Sequence, residues 1–331
     1  MRRLRLPKGT VGRDYVLLQL KVGNRGPFDF MVDTGLTAEL ITPHLRQALD
    51  IPPSRQVIGQ GLGAGGALAQ GAELVSLSGA RLVGAEDLEL PSLSAVVTDF
   101  LQQHMDPDHD PVEGMLGMEL LENFDVDFDF PKQRIRFFRP GEGIGEAASA
   151  GLVDIPAAVL NETGILGIRV TSPEAAARGG QPFVGILDCG ASFSAINWQA
   201  AALAGLPPQG SPVYGPPGKP PKNGVAILGV DGKPQVLPMT NVRLTFVGKP
   251  NKDARGGLSF DPPPSGWKPW KEVQVAVGDL PAFSQLLGDG RKPFNGPAAL
   301  IGLDVLSQRR VVVGAGAGLR GRAREVLVSK A

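Results

Sequence analysis

Asp33 and Asp188 stand 155 residues apart in matching surroundings. The first closes the apolar run Pro27-Phe28-Asp29-Phe30-Met31-Val32 and leads into Thr34-Gly35. The second closes Pro182-Phe183-Val184-Gly185-Ile186-Leu187 and leads into Cys189-Gly190. An isoleucine follows eight residues after each aspartate, Ile41 and Ile196. Two related halves can bring such carboxyls face to face across a pseudo-twofold axis. A pair that shares one proton is an acid and a base at once, because like charges a few ångströms apart do not both ionise cheaply. The chemistry this predicts is water activation. The ionised member draws a proton from a water held between the two, and the protonated member donates to a carbonyl oxygen. A gem-diol forms with no covalent enzyme intermediate. Which aspartate keeps the proton is left open by the sequence.

The elements needed to position the pair occur twice, in the same order. Tyr15 to Val22 alternates as a half-buried strand does, 23–26 turns the chain, and Phe28 to Val32 returns as its partner. Thr42 with Pro43 predicts a capped short helix over His44 to Leu49. A glycine-dense stretch, 59–71, comes next, and Asp99 to Met105 reads as another short helix. The half ends on Met115-Leu116-Gly117 and a hairpin, Phe124 to Phe130 with Arg134 to Phe138. In the second half Ile165 to Val170, a helix over Asn197 to Ala204, Leu300-Ile301-Gly302 and a hairpin from Arg309 to Val313 with Arg324 to Val328 repeat the series. Proline-rich insertions at 206–223 and 249–271 lengthen it. Residues 141–151, rich in Gly and Ala, read as a linker. The expected organisation is a first lobe over 1–145 and a second over 151–331.

Bulk properties fit that plan. A chain of 331 residues suffices for two domains, and 42% hydrophobic with 20% charged residues is an ordinary globular balance. Thirty-three basic residues offset thirty-three acidic ones, which speaks against nucleic acid or an anionic membrane as a partner. No apolar stretch reaches membrane-spanning length. The start, Met1-Arg2-Arg3-Leu4-Arg5, lacks the apolar core of a secretion signal and reads as a solvated tail. The single cysteine, Cys189, allows no internal disulfide and points to a reducing compartment. With 45 Gly, 30 Pro and few helix-length amphipathic segments, the composition is turn-rich and mainly β.

The duplicated pattern resembles the aspartic proteases of the retropepsin and pepsin clan, in a single-chain, two-lobed form. The resemblance rests on Asp33-Thr34-Gly35 at the end of an apolar strand, on Met115-Leu116-Gly117, and on their counterparts in the second half. It implies an all-β, bilobal acid-protease fold with the cleft between two barrel-like lobes. It implies Asp33 and Asp188 as the catalytic dyad of an aspartic endopeptidase, with Thr34, Gly35, Cys189 and Gly190 supporting the catalytic loops. A flap over an extended peptide or protein substrate would contain Gly61, Gly63, Gly65 and Gly66, with a second-lobe counterpart near 228–233. No metal or organic cofactor is implied, and a monomer suffices.

Three departures from the family pattern carry expectations. Cys189 stands where the family has Thr or Ser, and a thiol is the weaker hydrogen-bond partner. A looser dyad, or one sensitive to oxidation, is expected. Leu36 and Ala191 lack a hydroxyl that could hold the carboxylates ionised, so the dyad should work nearer neutral pH than pepsin does. Neither Tyr15 nor Tyr214 falls in the flap segment, which leans the resemblance toward retropepsins.

Other motifs are weaker. Gly61 to Gly66 also matches G-x-G-x-x-G, with Glu86 and Asp87 about 20 residues on, but a dinucleotide site needs that loop to open a helix. The cluster His104 to Asp110 offers metal ligands inside one polar loop, without H-E-x-x-H. Trp267 and Trp270 suit either a cleft rim or a loop anchor. Two rivals remain: an inactive relative that binds extended peptides or partner proteins, and a dimer that pairs first lobes.

Overall fold

The computed structural model describes residues 1–5, 14–53, 57–58, 62–63, 66–67, 72–104, 109–159, 164–216, 219–228, 234–252, 257–288, 292–316 and 324–330. The chain is mostly β, with short helices on the flanks of two large sheets.

The first sheet has nine strands. At its centre Asp14–Val22 pairs antiparallel with Arg25–Val32, which lies parallel to Val112–Leu116. Arg25–Val32 begins exposed and ends fully buried, so the strand drives its C-terminus into the molecule. Glu39–Ile41 returns antiparallel beside Val112–Leu116 and parallel to Leu93–Val97. Parallel pairing of this kind needs both faces covered, and Val112–Leu116 is buried at every position.

The second sheet has thirteen strands and contains the same unit. Leu166–Thr171 pairs antiparallel with Phe183–Leu187, which lies parallel to Ala298–Ile301. Ala195–Ile196 returns antiparallel to Ala298–Ile301 and parallel to Val273–Val277. Beyond that repeat the sheet includes a hairpin from the first half. Asp125–Asp129 pairs with Arg134–Phe138 on one side and with Arg310–Val313 on the other. The lobes therefore share main-chain hydrogen bonds, with no hinge between them at this edge.

Helix ends follow the local chemistry. The Thr42 hydroxyl accepts from Leu45 N at 2.9 Å and caps Pro43–Ala48, and Asn197 caps Trp198–Leu203 through Ala200 N at 2.9 Å. The stretch expected as a linker is instead a helix, Glu142–Ser149. Its N-terminal N–H groups at Gly141 and Ile144 bond to Asp125 Oδ2 at 2.8 and 3.0 Å, and Ile144 and Ala147 are buried. A capping carboxylate and two buried apolar side chains thus outweigh the glycines. Among the described residues no helix is long and apolar enough to cross a membrane.

Candidate active site

The two aspartates are delivered by equivalent strands and held by equivalent main-chain bonds. Asp33 N donates to Leu116 O at 2.9 Å, and Asp188 N donates to Ile301 O at 3.0 Å. Past each bend the chain is anchored again, by Met118 N to Leu36 O at 2.8 Å and by Leu303 N to Ala191 O at 2.9 Å. The apolar-apolar-Gly segments read from the sequence are the strands that accept and the helix starts that donate these bonds.

The loops meet across the lobe boundary. A Cβ on Gly35 would lie 2.5 Å from Asp188 Cγ, and one on Gly190 would lie closer still to Asp33 Cγ. Each carboxyl therefore rests against the glycine of the opposite loop, in space that only glycine leaves open. Below them the middle residues interlock. Thr34 Oγ1 donates to Leu187 O at 2.8 Å and accepts from Cys189 N at 2.9 Å, while Cys189 Sγ donates to Val32 O at 3.3 Å. The thiol thus makes a cross-lobe bond where the family's hydroxyl would, though as the weaker donor. It is 2% exposed, and burial raises its pKa far above the ordinary thiol value. Oxidation proceeds through exposed thiolate, so burial and the raised pKa both disfavour it at Cys189.

The carboxyls are buried and hydrogen-bonded to each other, which puts the shared proton between them. Asp33 is pushed well above the usual carboxyl range, by burial first and then by repulsion from Asp188. Its Oδ1 accepts from Gly35 N at 2.7 Å. Asp188 is also raised by burial, but the proton from Asp33 and two backbone donors oppose the rise. Those donors are Gly190 N at 2.8 Å and Ala191 N at 2.9 Å, both to Oδ1. A carboxylate with more donors keeps its charge more easily, so the donor count favours charge on Asp188 over Asp33. The hydroxyl missing at Ala191 is thus partly replaced by a main-chain N–H.

Residues 18–120 match the family model for aspartyl proteases. That span runs from the strand before Asp33 to the helix after Gly117. Over that span, about a third of the chain, the sequence is similar to aspartyl proteases. No curated protein matches the sequence. Among solved structures, basic 7S globulin from soybean superimposes with a TM-score of 0.46 at 10% identity, covering 99% of this chain and 93% of that one.

Part of the glycine-rich stretch of the first lobe pairs as a two-stranded hairpin. Gly63 pairs with Gly66, and Leu62 with Ala67. Gly61 and Gly65 lie outside the described residues. Cα atoms of the hairpin come within 8 Å of the second-lobe helix Pro281–Leu286, so the hairpin reaches across to the other lobe. A hairpin in place of a helix start removes the basis of the dinucleotide reading. The second-lobe counterpart is the hairpin of Gly224–Leu228 with Pro234–Val242, whose tip is outside the described residues. Of the His104 to Asp110 loop, 105–108 are likewise outside them, and no group of three metal-ligating side chains occurs among the described residues. Trp267 and Trp270 stack edge to face and hold the Arg309 guanidinium, 4.0 Å over the Trp267 ring. That arrangement anchors the insertion.

Two groups near the site were not singled out from the sequence. Tyr15 is buried, with its hydroxyl hydrogen-bonded to Ser192. Glu39, six residues after Asp33, is fully buried and accepts from Leu120 N at 2.9 Å through Oε1, while Oε2 has no partner. Strand register could have located the tyrosine: Leu17 pairs with Met31, so Tyr15 stands level with Asp33. Nothing in the sequence distinguishes Glu39 from a surface acid.

Proposed function

We propose that this protein is an aspartic endopeptidase that hydrolyses peptide bonds with water activated between Asp33 and Asp188. The observation behind this reading is the mutual burial and hydrogen bonding of the two carboxyls, each seated against the other loop's glycine. In this scheme Asp188 is the general base. It takes a proton from water as the oxygen attacks the carbonyl carbon, and Asp33 gives its proton to the carbonyl oxygen. The gem-diol collapses with proton transfer to the leaving nitrogen. Thr34, Cys189, Gly35 and Gly190 keep both loops in register, since a displacement of about 1 Å costs on the order of 100-fold in rate. An extended peptide would lie between the lobes beneath the 62–67 hairpin, adding strand-like hydrogen bonds. Both acids come from one chain, so a monomer is the active unit of this reading.

A casein and peptide-library digest between pH 3 and 8 tests it, with Asp33→Asn and Asp188→Asn beside the parent. The reading expects cleavage by the parent and its loss in both variants. Peptide capture without hydrolysis by the folded parent at every pH would replace it with the inactive peptide-binding alternative.

A further inference from the structure

The catalytic frame is nearly twofold symmetric, yet the two acids are not treated alike. Three residues after Asp188, Ala191 N donates to the carboxyl oxygen of Asp188. Three residues after Asp33, Leu36 N instead donates to the main-chain oxygen of Asp33, at 3.4 Å. Something must hold the second loop so that its N–H faces the carboxyl.

The neighbour of Ala191 is Ser192, whose hydroxyl is bonded to Tyr15 from the other lobe. Tyr15 is fixed from every side. It extends the ladder in which Leu17 opposes Met31, shares a face with Met31, and packs in one cluster with Leu17, Met31, Leu36 and Leu40. In the second lobe Gly167 opposes Ile186, so the matching position is Ile165, which has no hydroxyl. The clamp therefore exists on one side only. Among the described residues, the titratable groups that face the phenol are Asp33 and Asp188. Those that face the dyad are Tyr15 and Cys189.

We propose that Tyr15 is a positioning residue that holds Ser192, and through it the Ala191 N–H, so that Asp188 is the acid that stays ionised and Asp33 the one that keeps the proton. The assignment rests on the peptidase reading for its purpose, but not for its measurement. The phenol touches no reacting atom. It sets which of two near-equivalent acids is the base, a choice the symmetric frame alone does not make.

The test uses the full chain with 13C-labelled aspartate carboxyls, titrated by NMR, as parent, Tyr15→Phe, Ser192→Ala and the double variant. Removing either hydroxyl frees the loop, and Asp188 then loses a donor to its anion. The expected result is that proton affinity at the dyad's lower titration rises about threefold or more in each single variant. The double variant should add nothing further, because both changes break one contact. A lower titration unchanged in both single variants, or additive effects in the double, overturns the proposal. Ser192→Ala serves if Tyr15→Phe does not fold. In the peptidase assay the acid limb of the kcat/KM profile should move up in pH in step with the carbon shifts. Carbon shifts that move in a protein that cleaves no peptide would keep the positioning role and remove the peptidase reading.

Discussion

Thr34 and Cys189 are bonded to each other across the lobes: the Cys189 N–H points at the Thr34 hydroxyl, 2.9 Å away. The two positions are symmetric in sequence but not in workload. The Thr34 oxygen both accepts this bond and donates to Leu187 O, whereas the thiol makes one long bond to Val32 O. Thr34→Ala should therefore leave two buried backbone groups unpaired and cost about 2–4 kcal/mol. Cys189→Thr replaces a weak donor by a better one, and a cavity of about 20 Å³ lined by Thr34, Cys189 and Leu187 leaves some room for the added methyl. Its effect should stay within about 1 kcal/mol of the parent. Urea denaturation of the two variants checks the ranking, and equal losses would contradict it.

The glycine contacts give a sharper expectation for activity. Gly190→Ala would place a methyl against Asp33, and Gly35→Ala would place one against Asp188. Neither carboxyl can withdraw without leaving its partner, so under the proposed peptidase reading hydrolysis should fall at least about 100-fold. Circular dichroism alongside the assay separates a displaced dyad from a misfolded chain.

The duplicated strand-Asp-x-Gly pattern was legible because its parts are main-chain devices that recur in sequence: a buried run, a bend, a capped helix. What stayed hidden depends on partners far along the chain. In Asp125–Asp129 the three aspartates alternate with Val126 and Phe128, a pattern that reads as a strand with one wet face. All three are buried. Asp125 caps the Glu142–Ser149 helix, Asp127 binds Arg136 and Arg310, and Asp129 meets Arg134. The composition of 141–151 suggested a linker for the same reason, since its cap lies 16 residues away. Tyr15 gained meaning only from the register with Met31 and the approach of Ser192.

Asp127 is a buried charged link between the lobes. It accepts from Arg136 Nη2 at 2.6 Å within its own hairpin, and from Arg310 Nε at 2.9 Å on the second-half strand. The carboxylate is fully buried, so removing its charge leaves two guanidinium groups that share one amide oxygen and the half-exposed Glu146 carboxylate, which also meets both. Asp127→Asn should destabilise by about 3 kcal/mol. The loss should appear as earlier melting of the whole molecule, because Asp125–Asp129 belongs to the shared sheet. Differential scanning calorimetry reads this directly, and an unchanged melting temperature would contradict it.

Glu39 makes the first lobe sensitive to alkali. Its counterpart in the second lobe is Ser194, whose hydroxyl donates to Asp304 Oδ1 at 2.6 Å and accepts from Gly302 N at 2.9 Å. The first lobe instead puts one carboxyl in that space, with Oε2 unpartnered and Glu119 nearby. Burial chiefly, and Glu119 in addition, raise the Glu39 pKa from 4.5 to about 8. Below pH 4.5 the group is protonated in the folded and unfolded chain alike, and its contribution is fully present. Between pH 4.5 and 8 the folded chain retains a proton that the unfolded chain has released, so stability falls as pH rises. Above the folded value the carboxylate is charged in both states and the loss levels off. The total is about 3 kcal/mol, after discounting for relaxation around a buried charge. Glu39→Gln keeps the acceptor for Leu120 N and removes the ionisation. Chemical denaturation at pH 5 and pH 8 should show the parent losing stability across that interval and the variant losing markedly less. Parallel losses would place the alkaline sensitivity elsewhere, the buried dyad being the next acid raised in the same direction.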